Sequence, residues 1–295
     1  MTDIVKDMKK RGIFLSKRRG QCLLRDESVW NTIFESASIK KSDIVLDIGS
    51  GPGYSIARIA PLCGYYIGVE IDRKCVQAAR EKAETFSNCS VIHADILENK
   101  HTLNPDVICK IQEKIRNTGL NTVKMVSNLP YNAATPIIMN FLIQKEICLK
   151  VMVVMVQKEM AHKLTARPGS PSYSHVSVVC RLFSQAEILC YVARRAFFPS
   201  PNVDSALIRL IPRVSSGTDV PEEDTAPFIR FSKSIFNFSR KNIINAILHS
   251  HISDLSKQEL RSRFENTGVS PEESMRSLSL QQLFEVYAGV IKRGI

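Results

Sequence analysis

Apolar positions along this chain alternate between two spacings. Within 26–37, Val29, Trp30, Ile33 and Phe34 stand at i, i+1, i+4 and i+5, which predicts one buried helix face. The run 44–48 (Ile-Val-Leu-Asp-Ile) predicts a strand buried on both faces, and further strands are expected at 65–70, 90–94, 122–127 and 150–156. Helical segments are expected between or after them at 54–62, 73–86, 105–117, 135–145 and 157–166, with a polar loop at 167–174. Strands alternating with helices predict an α/β doubly wound, mostly parallel sheet. Two later apolar stretches, 186–192 and 203–211, are expected to close it with an antiparallel edge.

The pattern changes after that. Residues 214–226 are polar, acidic and proline-containing, so they are expected as a linker. Beyond them Phe228, Phe231, Ile235 and Phe238 recur at helical spacing, followed by Ile243, Ile244, Ile247 and Leu248, and by Leu280, Leu283, Phe284 and Tyr287. The expected organisation is a domain at 1–213 with a basic N-terminal arm over its first twenty residues, the linker, and a small all-helical domain at 227–295.

Composition narrows the class. With 44% apolar and 23% charged residues, the chain has no apolar run of the ~18–20 residues a membrane helix needs. Eight cysteines are scattered without a Cys-x-x-Cys pair or a zinc-like spacing with histidine, so free thiols, no metal and a reducing compartment are expected. The early basic residues Lys6, Lys9, Lys10, Arg11, Lys17, Arg18 and Arg19 imitate a transit peptide. Asp3 and Asp7 interrupt them and the first motif starts at Gly20, so a cytoplasmic protein is expected. A formal charge of +11 suggests a polyanionic partner, the alternative being a basic surface kept for solubility.

Candidate chemistry lies at the ends of the expected parallel strands. Asp47-Ile48-Gly49-Ser50-Gly51-Pro52-Gly53 joins a buried strand to a helix, and its glycines let backbone approach a ligand. Glu70 ends the next strand, where a carboxylate can accept from both ribose hydroxyls. Asp95 follows the third strand and could accept from an adenine amino group. A dinucleotide would want Gly-x-Gly-x-x-Gly facing a pyrophosphate. Here the third glycine comes one residue early, and Asp-x-Gly-x-Gly-x-Gly resembles the first motif of S-adenosylmethionine-dependent methyltransferases. Asp47 would then help to hold the amino-acid end of that cofactor, or else merely stabilise the turn.

The turn Asn128-Leu129-Pro130-Tyr131 follows the fourth strand. The Asn128 side-chain oxygen and the carbonyl of Leu129 or Pro130 can each accept one N–H of an exocyclic amino group. Holding both hydrogens draws the nitrogen lone pair out of conjugation and frees it to attack a methyl group. Such catalysis is positioning and electrostatics, and it needs no strong base. Tyr131 could stack on an extruded base.

Taken together, these motifs resemble the KsgA-type family of small-subunit rRNA adenine N6,N6-dimethyltransferases over nearly the whole chain. Gly20-Gln21-Cys22-Leu23-Leu24 is similar to the family's Gly-Gln-Asn-Phe-Leu motif, Val69-Glu70-Ile71-Asp72 to its second motif and Ala94-Asp95-Ile96-Leu97 to its third. Ser127–Asn132 resembles its catalytic motif, Gln157–Glu159 with Ala166–Ser170 the segment after its fifth strand, and Phe197–Ala206 its Phe-x-Pro-x-Pro-x-Val-Asp-Ser motif. The resemblance implies a Rossmann-like methyltransferase fold and a small helical domain that helps to dock RNA. It implies cofactor contacts from Cys22, Leu24, Asp47, Gly49, Gly51, Gly53, Glu70, Asp95, Ile96 and Asn128. Asn128, Leu129, Pro130 and Tyr131 would hold the base, with Phe197 stacking on its other face. The implied substrate is a pair of adjacent adenosines in the 3′-terminal hairpin of small-subunit rRNA, each methylated twice during ribosome assembly by a protein that is monomeric when free. Cys22 departs from the family's usual Asn or His and Leu23 from its Phe, so a contact at Cys22 is expected through backbone.

Three alternatives stay open on sequence. A ribosome-assembly factor with secondary or lost catalysis would need only the basic face and the helical appendage. Enzymes of the erythromycin-resistance type act on large-subunit rRNA and are close in pattern, although Phe197–Ala206 and the long basic C-terminus favour the small subunit. DNA adenine methyltransferases more often carry a second proline in the turn and a separate target-recognition domain. Arg194, Arg195, Arg209, Arg213, Arg240, Lys241 and the basic residues of 9–19 are expected to face RNA phosphates.

Overall fold

The computed structural model describes residues 2–15, 20–213 and 220–292. Lys17, Arg18 and Arg19 of the basic arm, and 214–219 of the expected linker, lie outside the described residues. Two compact units emerge, one of Met1–Ala161 with Ala186–Pro212 and one of His162–Gln185 with Arg213–Ile295. The expected division had instead kept 162–185 with the first domain.

In the first unit the chain begins with helix α1 (Thr2–Lys10), strand β1 (Leu23–Leu24) and helix α2 (Glu27–Ala37). Strand β2 (Asp43–Ile48), helix α3 (Ile56–Ile59), strand β3 (Tyr65–Glu70), helix α4 (Arg73–Ala83) and strand β4 (Cys89–His93) follow. A hairpin of β5 (Leu97–Asn99) and β6 (Thr102–Leu103) precedes helix α5 (Pro105–Thr118). Then come strand β7 (Thr122–Asn128), helix α6 (Ala134–Ile143), strand β8 (Leu149–Gln157) and helix α7 (Lys158–Thr165). After α8 (His175–Phe183) the chain forms β9 (Ser184–Val192), β10 (Phe197–Phe198) and β11 (Ser205–Pro212).

The central sheet has seven strands in the order β4-β3-β2-β7-β8-β11-β9. Pairing is parallel from β4 to β8 and antiparallel between β8 and β11, so the mostly parallel sheet with an antiparallel edge is as the sequence predicts. Every residue of β2 is buried, and Ile44, Val45, Leu46 and Ile48 each contribute about 1.5–3 kcal/mol through that burial. Because these strands run parallel, the turns after β2, β3, β4 and β7 lie at one end of the sheet, where ligands of such sheets bind.

Several elements escape the apolar pattern. Within the N-terminal arm Thr2–Lys10 is helical, anchored by Met8 against Cys75 and Ala78. Its Arg11 pairs with Asp7 at 2.7 Å and with Glu81, so it is not a phosphate ligand in this arrangement. Arg209 likewise pairs with Glu187. Buried Lys124 pairs with Asp43 at 2.7 Å and donates to the Ala37 and Ser38 carbonyls, tying the end of α2 to the sheet.

The second unit packs α8, α9 (Glu222–Phe236), α10 (Ile243–Ser250), α11 (Lys257–Phe264) and α12 (Leu280–Val286) around Phe228, Phe231, Ile235, Ile244 and Leu283. The all-helical character of this region thus follows the periodicity. Residues 222–226, expected as linker, form the start of α9, because Glu222, Glu223 and Asp224 suit the positive end of a helix dipole.

Candidate functional site

One cavity of about 580 Å³ opens at the strand ends of the first unit. Cys22, Leu24, Asp47, Gly49, Gly51, Glu70, Asp95, Ile96, Asn128 and Pro130, all assigned on sequence, line it. Gly53, Leu129, Tyr131 and Phe197 do not.

The glycine turn is built for close approach. Gly49 has φ +78°, and a Cβ there would stand 3.0 Å from Pro130 Cδ. The ligand turn and the catalytic turn are therefore in contact at Gly49, a position that has no side chain. Gly53 serves packing instead of the ligand, since a Cβ on it would meet Ala79 Cα of α4 at 2.8 Å.

Asp47 looks inward. Its Oδ2 accepts from Ser55 Oγ at 2.6 Å and Tyr66 Oη at 2.8 Å, which ties the turn to the sheet. Burial pushes its carboxyl up to about 6, against the opposing pull of the Ser55, Tyr66 and Ser127 hydroxyls. Glu70 is 5% exposed. One of its oxygens accepts from Ile71 N and Asp72 N, the other from Gly51 N at 2.8 Å. Three backbone donors thus hold the carboxylate in place at the end of β3, with acceptor capacity left toward the cavity. Burial raises this carboxyl too, and the three amides oppose it. Asp95 is exposed at the cavity wall and gives one oxygen to Leu97 N at 2.9 Å.

Asn128 is the centre of the site. Its Nδ2 donates to the Cys22 carbonyl at 2.5 Å, which fixes the side-chain amide. The Oδ1 atom is thereby presented as an acceptor, and it is buried with no partner among the described residues. Position 22 thus holds Asn128 through its backbone carbonyl, a contact that any side chain there leaves available. Behind the cavity, Tyr131 Oη shares a hydrogen bond with Ser205 Oγ at 2.5 Å, and burial pushes the phenol up to about 12. Ser205 and Gly20 were given no role on sequence. A Cβ on Gly20 would stand 2.6 Å from Tyr131 N, so this glycine lets the N-terminal segment close on the catalytic turn.

Phe197 departs from expectation. It is 1% exposed and packs in the apolar core with Trp30, Val126 and Met155. Strand alternation explains this. Leu24 pairs with Phe197 and Leu23 with Phe198, so the two phenylalanines point to opposite sides, Phe198 packing beside Leu23, Met8 and Tyr54.

The charged groups in the cavity wall are three carboxylates, Asp47, Glu70 and Asp95, with no Lys, Arg or His among the described lining residues. Such a wall repels a pyrophosphate and suits a ligand carrying positive charge and no phosphate. That decides between the two ligand classes the glycine motif left open. The orphaned Asn128 oxygen, the glycine turn and the remaining acceptors of Glu70 and Asp95 fit S-adenosylmethionine.

The family model for ribosomal RNA adenine dimethylase matches residues 15–292. Among similar proteins, the ribosomal RNA small subunit methyltransferase A of Anoxybacillus flavithermus is 30% identical over 93% of this chain and 90% of its own length. The protein of the same name from Clostridioides difficile is 30% identical over 96% and 93%. The crystal structure of a dimethyladenosine transferase from Plasmodium falciparum superposes with a TM-score of 0.73 at 24% identity, covering 92% of this chain and 98% of that one. The 23S rRNA methyltransferase ErmE gives 0.65 at 22% identity, covering 91% and 99%. Both structures share the fold.

Proposed function

The chain belongs to the ribosomal RNA adenine dimethylase family, and we propose that it methylates N6 of two adjacent adenosines in the 3′-terminal hairpin of small-subunit rRNA. The product is N6,N6-dimethyladenosine, formed from S-adenosylmethionine during ribosome assembly in the cytoplasm. The reading takes the protein as a monomer when free, and it needs no metal. The observation that carries it is the buried, unpartnered Oδ1 of Asn128 at the end of β7.

When bound, S-adenosylmethionine supplies an electrophilic methyl group on a positively charged sulfur. Glu70 and Asp95 would accept from its nucleoside end, and Gly49 and Gly51 would give it a wall without side chains. Asp47 supports that wall from behind through Ser55 and Tyr66. Asn128 Oδ1 accepts one N6–H of the target adenine. The carbonyl of Leu129 or of Pro130 is the second acceptor; the Pro130 oxygen takes the Ala133 N–H at 2.9 Å and keeps one lone pair. Two acceptors on one amine would keep its lone pair out of conjugation and free to take the methyl group, with S-adenosylhomocysteine as the leaving product. The alkylated nitrogen would be acidic enough to lose its proton to water, so no buried base is required. Tyr131, held by Ser205, and Pro130 form the rigid frame of the turn. Preorganisation of this kind is worth several kcal/mol of barrier.

Labelled S-adenosylmethionine incubated with the protein and unmethylated small subunits tests the proposal. Label recovered as N6,N6-dimethyladenosine in the 3′-terminal fragment is expected. Cofactor binding without any label in rRNA adenines refutes it, and label in large-subunit rRNA moves the substrate.

A further inference from the structure

The catalytic turn is connected to an exposed aromatic by a short rigid path along the sheet edge. Ser205, which holds Tyr131, begins β11, and the preceding Asp204 carbonyl accepts the Lys158 N–H at 3.0 Å. The Asp204 carboxylate accepts the Arg194 N–H at 3.0 Å. Lys158 Nζ lies 4.9 Å from the centre of the Tyr191 ring, and Tyr191 is 55% exposed at the end of the edge strand β9. The strand order puts β9 three strands from β7, about 14 Å at the usual ~4.8 Å spacing. Lys158, Arg194 and Arg195 are all exposed, the two arginines three and four residues further along the chain than Tyr191. The carboxylate of Asp204 meets the Arg194 amide, and Asp26 faces Arg195.

We propose that Tyr191, flanked by Lys158, Arg194 and Arg195, is a stacking platform for an unpaired nucleotide flanking the target adenosine. This rests on the rRNA reading above. An aromatic face beside cations is how single strands are held without base-specific contacts: the ring takes a base and the cations take phosphates. Backbone bonds from both Lys158 and Arg194 to Asp204 fix the platform relative to the turn. A flipped adenosine would otherwise be free to pivot about its backbone, and a neighbour stacked on Tyr191 removes that freedom. The platform touches no reacting atom, so it sets RNA affinity and register and leaves the methyl-transfer step alone.

The test is methylation of small subunits, and of the naked 3′-terminal hairpin, by Tyr191→Ala, Tyr191→Trp and Lys158→Gln. Tyr191→Ala is expected to raise KM for RNA about 5–100-fold, the range of one lost base stack, with kcat and cofactor affinity unchanged. Tyr191→Trp retains the wild-type KM, and Lys158→Gln lowers the salt slope of RNA binding by roughly 0.7–0.9. An unchanged KM in Tyr191→Ala overturns the platform, as does an effect on assembled subunits but none on naked RNA, which marks a protein contact instead. Failure of the wild type to methylate small subunits sinks the functional reading. The platform is then judged on its own by binding of a fluorescent adenine-rich oligonucleotide to wild type and Tyr191→Ala, where equal affinity overturns it.

Discussion

Replacing Gly49 by alanine perturbs the contact between the ligand turn and the catalytic turn. At φ +78° an alanine pays about 1–2 kcal/mol for the left-handed conformation. Its Cβ would also stand 3.0 Å from Pro130 Cδ, and relieving an overlap of that size in a packed region costs about 1–3 kcal/mol more. Gly119→Ala isolates the first cost, because Gly119 has φ +67° and nothing within 4 Å of its added Cβ. Both variants should lose stability, Gly49→Ala by roughly 2–5 kcal/mol and Gly119→Ala by roughly 1–2 kcal/mol. They should part on rate. Pro130 can give way only by moving the turn that holds the amine, and a shift of a few tenths of an ångström there should slow methyl transfer about 10-fold or more. Denaturant unfolding gives the stabilities, and single-turnover methylation at saturating cofactor and RNA gives the rates. A folded Gly49→Ala with the wild-type rate would refute the claim that the two turns are mechanically coupled.

Tyr131→Phe leaves the buried Ser205 hydroxyl without its partner; a stability loss of about 1–2 kcal/mol and a measurable fall in kcat are expected, read by unfolding and by single-turnover kinetics. Lys124→Met strands the buried Asp43 carboxylate and should cost about 3–5 kcal/mol in unfolding experiments, much of it recovered when Asp43→Asn is added. Burial lowers His175 to about 4, beside Ser232 and Lys233, from an unfolded value near 6.5. A lowered folded pKa means the unfolded chain binds the proton first. Stability from this group is therefore complete above pH 6.5 and is lost as pH falls toward 4, by roughly 3 kcal/mol, a slope that His175→Gln should flatten.

The parallel sheet and the helical C-terminal region were legible because their signals are local. Runs such as 44–48 and the spacing of Phe228, Phe231 and Ile235 carry their own period. Helix α8 was not, since its nine residues sit between a polar loop and a strand, and its Ser174–Ser177 capping box lacks the usual Glu or Gln at the third position. Helix α1 was hidden by charge, with Met8 and Ile13 its visible anchors. The site shows the same divide. The residues that line the cavity were readable because strand ends and turns fix them. The direction in which a side chain points was less so. Whether Phe197 or Phe198 faces inward depends on its pairing with Leu24, formed across more than 170 residues. That Glu70 spends three acceptors on its own backbone, and that Cys22 acts through its carbonyl, depend on contacts no spacing encodes.

The central claim is that Asn128 Oδ1, held ready by the Cys22 carbonyl, grips an adenine amine of small-subunit rRNA for methylation. Mass spectrometry of the 3′-terminal rRNA fragment, after incubation of unmethylated subunits with wild type or with Asn128→Ala, tests it most directly. The account predicts two dimethylated adenosines with wild type, and at least about 100-fold slower modification with Asn128→Ala at unchanged cofactor affinity. Dimethyladenosine formed at the wild-type rate by Asn128→Ala would contradict it.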